Sequence, residues 1–435
     1  MHTLKSLVVL IVLAAPAYAG GAARAFEVWL VDQSNSPGVA FGGTIHIYSD
    51  RDVLQPGRAL PPVSEKIDLG GATTQLCLAS TGAAPVRPHM MAFNSTYSHA
   101  VLSFVASGHV AFLDARTRTP VACVRTEVGA GGARQAHAAW PTIDDRYVLV
   151  ANQNGKKLER IATHYAQNTF VQEPLATLDL ANCTTPHGAA CQLAGVRPDN
   201  APICPYTASD NGPAFVSLRG GGLFVVDHLH TPMQIIGAYD MANVPPNGCG
   251  FIEARGWIYA NGGGGTPNNL DQFAVYRAPM SGYLASNPPN TPATQLLMND
   301  EAEHRDAHGV ATTKHQRYVW IGDRARNVVE VFHSDSGERV NTIDLVSPHS
   351  LDPTPDLFDL SPDKQWMFMS LRGPVPLSGD PHSSTGSTPG LLVLKITQGG
   401  RDGQVKRVIR ISNVDAGGVE RADAHGVRVR PTCYD

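Results

Sequence analysis

The stretch RPHMMAFNSTYSHAVLSFVASGHVAFLDARTRTPVACVRTEV, residues 87–128, contains four short apolar runs separated by turns of small or polar residues. The runs are HMMAF, AVLSFV, HVAFLD and VACVRT, and apolar side chains recur at alternate positions along them. Such alternation predicts β-strands, because successive side chains of a strand point to opposite faces of the sheet. Four antiparallel strands of this length form one blade of a β-propeller.

The same pattern recurs along the chain. Further units begin near His137, Ile203, Cys249, Asp306, Asp356 and Asp423. The last unit, DAHGVRVRP, contains a single strand, whereas EVWLVDQ, GTIHIYSD and VSEKIDLG near the N-terminus provide three strands without an innermost one. Repetition at this period indicates a ring of similar units, and sharing one blade between both ends removes the open sheet edge. We therefore predict an all-β fold, a seven-bladed β-propeller closed by an N-/C-terminal shared blade.

The first residues, MHTLKSLVVLIVLAAPAYA, have the pattern of a secretory signal peptide. Lys5 provides the positive start, an apolar run follows, and Ala17 and Ala19 flank a small-x-small cleavage signal. We expect residues 1–19 to be removed and residues 20–435 to form a single propeller domain. The mature protein would then be periplasmic or secreted. That compartment permits disulfides, and Cys183 and Cys191 are the best candidate pair because they close a short loop.

Composition excludes several kinds of partner. The formal net charge is −4 and no basic run is visible, which argues against nucleic-acid binding. No apolar stretch reaches the roughly 20 residues that a membrane-spanning helix needs, so we expect no membrane insertion. With seven cysteines, the odd count predicts at least one thiol outside an intramolecular disulfide.

The complete units resemble the YVTN-type seven-bladed propellers, including the YncE-like exported proteins. The residues that carry the resemblance are STYSHAVLSF (95–104), NVVEVFHSDSGERVNTIDL (327–345) and SPDKQWMFMS (361–370). It covers most of the mature chain and implies a propeller fold. It implies no single function, because propellers of this kind include binding proteins, lactonases, amine dehydrogenase subunits and copper enzymes.

The innermost strand of each blade begins at the central channel, which we call the hub. The pentapeptide DAHGV occurs at residues 306–310 and 423–427, at the start of two inner strands. Aligning the units on their second strands and counting back gives one hub position per blade. The seven positions are His89, His137, Ile203, Cys249 or Gly250, His308, Asp356 and His425.

Four histidines on one axis predict a metal site. Protonated imidazoles would repel one another in a narrow channel, so we expect them to be neutral, and neutral imidazole is a preferred ligand of transition metals. The predicted ligands are His89, His137, His308, His425 and Asp356, with Asp306 and Asp423 as carboxylates that orient the rings. Copper is favoured by affinity order, and zinc or iron would also suit the nitrogen donors.

Several functions stay open at this point. The protein could be a copper-dependent oxidoreductase or a metal carrier. Its partner would then be a separate electron-transfer protein or metal-donor protein. The His-lined hub is reminiscent of nitrous oxide reductase-type propellers, but the paired His-His motif of that enzyme is missing. Alternatively, the histidines line a solvated channel of a non-catalytic YncE-like propeller that binds a ligand or protein, or the hub holds an organic molecule. A lactonase-like hydrolase is the third reading, although it usually needs carboxylates for a hard cation.

Overall fold

A computed structural model describes residues 25–55, 64–246, 248–263, 272–286, 288–302, 305–377 and 385–432. It contains seven antiparallel β-sheets arranged as the blades of one propeller, which confirms the predicted fold. Each blade has four strands that follow one another from the hub outward, and blade 2 carries an additional short strand. The predicted signal peptide lies outside the described residues. No helix among the described residues is long and apolar enough to cross a membrane.

The strands of the first six blades follow chain order from inside to outside. They are Pro88–Phe93, His99–Phe104, His109–Asp114 and Thr119–Arg125 in blade 1; Ala136–Pro141, Tyr147–Asn152, Lys157–His164, Thr169–Gln172 and Leu178–Asp179 in blade 2; Pro202–Thr207, Ala214–Leu218, Leu223–Asp227 and Gln234–Tyr239 in blade 3; Phe251–Ala254, Trp257–Gly263, Phe273–Pro279 and Gln295–Asp300 in blade 4; Ala307–Thr312, Tyr318–Asp323, Val328–His333 and Arg339–Asp344 in blade 5; Pro355–Leu360, Trp366–Leu371, Gly390–Thr397 and Asp402–Arg410 in blade 6.

Blade 7 joins both ends of the chain, as predicted. Its innermost strand is Ala424–Pro431, and Phe26–Asp32, Thr44–Ser49 and Glu65–Asp68 follow outward. The pairing is antiparallel, with Phe26 opposite Pro431. The hydrogen bonds of this sheet join both ends of the chain in one blade and so close the ring.

The core lies between neighbouring blades, where the alternating apolar faces of the sheets pack together. Trp29 and Trp320 are fully buried, and the Trp29 ring meets the ring of Phe93 edge-on at 5.3 Å, joining blades 7 and 1. Burying one side chain of this size is worth about 1.5–3 kcal/mol, so the summed interfaces dominate the stability of the ring.

The described residues include two short α-helices. Asp50–Leu54 begins with Ser49 as N-cap, and Ala72–Thr81 ends at Gly82 in the left-handed conformation. A disulfide between Cys77 and Cys123 ties the second helix to the outermost strand of blade 1. Single 3₁₀ turns are found at Ala130–Gly132, Tyr165–Gln167, Pro174–Ala176, Lys314–Gln316 and Gln398–Gly400. The predicted Cys183–Cys191 disulfide is confirmed, and a third joins Cys204 to Cys249.

An irregularity recurs where the inner strands meet the hub. The pairing register of the inner strand shifts in blades 1, 2, 3, 5, 6 and 7, and each shift coincides with the hub position counted from the sequence. In blade 1, for example, the shift lies between Pro88 and Met91 and includes His89. A β-bulge redirects a side chain locally, so this feature turns the hub residues toward the channel.

Polar residues of the second strands hold the bulged backbone in place. Ser103 of blade 1 donates to the His137 carbonyl oxygen at 3.1 Å, and Asn261 of blade 4 donates to the His308 carbonyl oxygen at 2.6 Å. Ser370 of blade 6 does the same for the carbonyl of His425. These bonds cross from one blade to the next and satisfy carbonyl groups that the bulge removes from the strand ladder.

Candidate metal centre

The inner strands bring the four predicted histidines together. The rings of His89 and His425 stack at 3.9 Å between centroids, and the rings of His89 and His137 meet edge-on at 4.7 Å. The ring of His308 lies 5.6 Å from that of His425 on its other side. Residues from blades 1, 2, 5 and 7 therefore form one imidazole cluster, although they are far apart in the chain.

Asp356 of blade 6 lies between two of these histidines and is fully buried. Its Oδ2 accepts a hydrogen bond from His425 Nδ1, and its Oδ1 lies 3.1 Å from His308 Nε2. One donor atom from each of His308, Asp356 and His425 lies within 4.8 Å of the others. This spacing is compatible with a shared metal ion after small side-chain adjustments.

Gln33 fixes the proton position on His89. Its Nε2 donates to Asp423 Oδ2 at 2.8 Å, because a carboxylate can only accept, and this leaves Oε1 facing His89 Nδ1 at 3.1 Å. Since an amide oxygen is also only an acceptor, His89 carries its proton on Nδ1. The lone pair of His89 Nε2 is therefore free to bind a metal, and the same argument applies to His425, whose Nδ1 faces Asp356.

Three Nε2 atoms of the hub imidazoles have no hydrogen-bond partner among the described residues. They are the Nε2 atoms of His89, His308 and His425, and all three are buried. His308 Nε2 is near the Asp356 carboxylate, but the direction of its ring N–H does not suit a hydrogen bond. Buried polar atoms are seldom left without partners, so three in one imidazole cluster require an explanation.

Two buried arginines surround the carboxylate of Asp356. Arg324 binds Asp306 with Nε and Nη2, at 2.8 and 3.0 Å, and its Nη1 lies 3.4 Å from Asp356. Arg372 binds Asp423 through Nε and Nη2, at 2.7 and 2.8 Å, and its Nη1 also lies 3.4 Å from Asp356. Two guanidinium groups thus face three carboxylates, and the network keeps one negative charge beside the imidazoles.

Asp306 and Asp423 were predicted to orient the rings of their own DAHGV histidines. The contacts found for them lead elsewhere: each carboxylate clamps an arginine, and Asp423 reaches the imidazole of His89 in the next blade through Gln33. The reason is the bulge, which separates the direction of the His side chain from that of the Asp two residues earlier.

Burial and charge favour the neutral forms of His89 and His308. Desolvation lowers the pKa of His89 well below its usual value, and the neighbouring His425 and His137 lower it further. Burial likewise lowers the pKa of His308, with Arg324 adding to the effect. Burial alone would raise the pKa of Asp356, but His425, His308 and Arg372 hold it well below its usual range. His89 and His308 therefore offer neutral nitrogen donors beside an ionised carboxylate.

The glycine of DAHGV has a steric role. Gly309 has φ +27°, and a Cβ there would lie 2.1 Å from the carbonyl oxygen of Asp356. At Gly426 a Cβ would lie 2.9 Å from the carbonyl oxygen of His89. The residue after each histidine must let the neighbouring blade approach closely, which a side chain would prevent.

The remaining hub positions complete the wall of the channel. Ile203 of blade 3 is buried, and Cys249 of blade 4 forms a disulfide with Cys204. One nitrogen of His137 lies within 4.8 Å of both sulfur atoms.

Sequence reasoning missed Gln33, Arg324 and Cys204. Arg324 could have been found, because it directly follows a second strand at the position that Arg372 occupies in blade 6.

A cavity of about 710 Å³ opens at the other end of the same inner strands. It is lined by aromatic side chains and one guanidinium group, including Trp140, Tyr206, Phe251, Phe358 and Arg428. Arg428 lies over the Trp140 ring at 4.7 Å. Since Trp140 and Arg428 follow their hub histidines by three positions, the cavity begins about 10 Å along the strands from the imidazole cluster.

Comparisons with solved structures show the same architecture. The chain is similar to a hypothetical selenium-binding protein from Sulfolobus tokodaii, with a TM-score of 0.63, 9% identity and 94% of both chains covered. It is also similar to the periplasmic gluconolactonase PpgL of Pseudomonas aeruginosa, with a TM-score of 0.55, 12% identity, and 93% of this chain and 99% of that chain covered. A protein from Lactobacillus plantarum gives a TM-score of 0.58 at 12% identity, with 93% and 99% covered.

These similarities concern the fold alone. Identities of this size do not transfer a function, because propellers with one architecture host unrelated sites. No family model matches the chain. No curated protein matches it by sequence.

Proposed function

We propose that the hub binds one transition-metal ion, with copper favoured, through the Nε2 atoms of His89, His308 and His425. The carrying observation is that these three buried nitrogens belong to one cluster of neighbouring imidazole rings and have no hydrogen-bond partners among the described residues. For His89 and His425 the other ring nitrogen faces an acceptor, which leaves the Nε2 lone pair available. His137, next to His89, is the fourth candidate ligand.

The donor atoms of the hub favour a transition metal of intermediate softness over a hard cation such as calcium. Calcium and magnesium prefer several oxygen ligands, whereas this cluster offers imidazoles and the single carboxylate of Asp356. Arg324 and Arg372 both lie beside that carboxylate, so we assign Asp356 to holding the ring of His425. Nitrogen donors suit copper, zinc and iron, and the affinity order favours Cu(II).

Burial favours a resident centre over metal transfer to another protein. His89, His308 and His425 are 9, 8 and 2% exposed, so a docked acceptor could not reach their nitrogens without opening the ring. A resident copper centre would supply one-electron chemistry when bound. A redox enzyme of this kind would require a separate electron-transfer partner, and the cavity near Arg428 is the candidate entrance for a substrate.

Export is the second part of the proposal. The three disulfides are those expected in an oxidising compartment. Together with the signal-peptide pattern at residues 1–19, they support a periplasmic or secreted protein. Copper chemistry in such compartments agrees with the proposed centre.

Metal analysis tests the proposal. Full-length protein purified from an exporting host should contain about one equivalent of copper. That equivalent should be lost in the His89→Ala/His308→Ala double variant. His99→Ala is a matched control, because His99 is buried in blade 1 but hydrogen-bonds Asn168 at 2.7 Å, away from the hub. Equal metal in all three proteins contradicts the proposal.

The same measurement separates the alternatives. Protein that takes up no metal would favour a non-catalytic propeller that binds a ligand or partner, as in the YncE-like reading. Calcium retained in the double variant would favour a lactonase-like hydrolase, the class to which PpgL belongs by name. Electronic spectra of the copper-loaded protein would distinguish a mononuclear centre from a cluster of the kind known in nitrous oxide reductase-type propellers.

A further inference from the structure

One side of the hub is formed by sulfur. Cys204 lies in the inner strand of blade 3 and Cys249 precedes the inner strand of blade 4, and their disulfide joins the two blades. Cys204 is fully buried and Cys249 is 6% exposed. One nitrogen of His137 and the two sulfur atoms all lie within 4.8 Å of one another.

The other two described disulfides have a different setting. Cys77–Cys123 attaches a helix to the outside of blade 1, and Cys183–Cys191 closes a loop with a sequence separation of 8. Neither belongs to a group of three metal-binding side chains among the described residues. Cys204–Cys249 combines a disulfide with an imidazole at ligand distance, inside the channel that holds the other histidines.

We propose that Cys204, Cys249 and His137 form a second metal site, for a thiophilic ion such as Cu(I), and that the disulfide is its oxidised, metal-free form. Thiolates and imidazole are the donors that Cu(I) and Zn(II) prefer. Metal–sulfur distances of about 2.3 Å and metal–nitrogen distances of about 2.0–2.1 Å place ligand atoms roughly 3.5–4 Å apart. The three donor atoms are close enough for side-chain rotations to reach that geometry.

The conversion needs two electrons and two protons. A small dithiol reductant breaks the sulfur–sulfur bond, and the two cysteines become thiols while the reductant becomes a disulfide. Binding of the ion then displaces both thiol protons, because the thiolate is the ligand. A small disulfide oxidant reverses the exchange: the two thiolates release the ion and form the protein disulfide, and the oxidant takes up two electrons and two protons to become a dithiol.

The site goes beyond the proposed centre, since it uses the sulfur atoms and can form whether or not His89, His308 and His425 bind metal. The two sites would be neighbours, because the rings of His137 and His89 lie 4.7 Å apart. The redox state of Cys204 and Cys249 would then decide whether His137 binds beside His89 or beside sulfur.

A Cu(I) titration of the full-length protein tests this. Under anaerobic conditions, oxidised protein and protein reduced with dithiothreitol, then desalted, are titrated with Cu(I) against a chromogenic chelator. We expect one equivalent more for reduced protein than for oxidised protein. The extra equivalent should disappear in Cys204→Ser/Cys249→Ser and weaken at least tenfold in His137→Phe. It should remain in the matched Cys183→Ser/Cys191→Ser control.

Three results would overturn the proposal: a hub disulfide that dithiothreitol does not reduce in the folded protein, no additional equivalent after reduction, or an additional equivalent that persists in Cys204→Ser/Cys249→Ser. If the serine variant does not fold, X-ray absorption of reduced, Cu(I)-loaded wild-type protein decides, since two sulfur neighbours of copper are required. Metal on the oxidised protein reports on the centre at His89, His308 and His425, so either proposal can fail alone.

Discussion

Asp356 accepts a hydrogen bond from Nδ1 of His425, and the two residues belong to neighbouring blades at the hub. Arg324 and Arg372 lie on either side of the same carboxylate, each at 3.4 Å. A single buried anion thus orients one imidazole and balances two guanidinium groups. This arrangement determines which nitrogen of His425 is left for other contacts, whereas Gln33 does the same for His89.

Removing that charge should destabilise the ring. Asp356→Asn keeps the shape of the side chain but leaves two buried arginines without their shared anion. Each arginine keeps its bidentate carboxylate, Asp306 or Asp423, so the cost is that of losing charged hydrogen bonds, about 1.5–3 kcal/mol. We expect a loss of this size in the free energy of unfolding, measured by urea denaturation of the metal-free protein. Asp415→Asn, at a half-buried pair with Arg421 away from the hub, should lower the midpoint less, and equal midpoints for both variants would refute the assigned role.

Gln33 should control metal affinity more than stability. Gln33→Met preserves the volume but removes the acceptor that holds the proton on His89 Nδ1. Loss of such a supporting hydrogen bond typically weakens metal binding by about 10–100-fold. Competition titration of copper should show this effect, whereas Gln272→Met, at a buried glutamine that donates to Asn299, should bind copper normally. The same affinity in both variants would mean that Gln33 does not act on the imidazole.

The metal-free protein should lose stability as the pH falls below 6.5. The pKa values of His89 and His308 are lowered from 6.5 in the folded protein, so below that pH the unfolded chain binds protons that the folded chain does not. Stability decreases toward acid wherever the unfolded state binds more protons, by about 1.4 kcal/mol per pH unit for each fully differing group. The depressed pKa of Asp356 acts in the same direction at lower pH.

Urea denaturation between pH 7 and pH 5 checks this dependence. His89→Gln removes one of the titrating rings and should flatten the curve toward acid relative to wild type. If the free energy of unfolding of His89→Gln depends on pH in the same way as that of wild type, this histidine already binds a proton in the folded protein.

The glycine that follows each DAHGV histidine should be intolerant of a side chain. In Gly309→Ala the new methyl group would collide with the Asp356 carbonyl oxygen, and we expect a loss above about 2 kcal/mol from overpacking and strain combined. Gly399→Ala is the control, because Gly399 also has positive φ, at +67°, but no atom within 4 Å of the added carbon. Backbone strain alone should cost about 1–2 kcal/mol there. Thermal unfolding distinguishes the two variants, and equal losses would mean that crowding at the hub is unimportant.

The repeat made the fold predictable from local pattern. HMMAF and AVLSFV alternate as half-buried strands must, and each unit repeats this order, so blade number and closure follow from counting. The hub histidines were predictable for the same reason, since equivalent positions in a closed ring of sheets share one axis. The bulges at His89 and His308 do not disturb this equivalence of positions, because they occur at the same place in each blade.

The partners of those histidines were not predictable. Gln33 and Asp423 are 390 residues apart, and their contact exists because blade 7 is built from both ends of the chain. Cys204 directly follows the hub position of blade 3 and forms a disulfide with Cys249. The spacing of the seven cysteines in the sequence does not identify this pair.

The sequence by itself determined a ring of seven β-sheets and the convergence of His89, His137, His308 and His425, because local strand periodicity and repetition fix both. Only the tertiary structure decided the tautomers, the arginine clamps around Asp356 and the sulfur atoms beside His137. Those features depend on the side-chain directions that the bulges impose and on contacts between distant segments, and neither is encoded in any one unit.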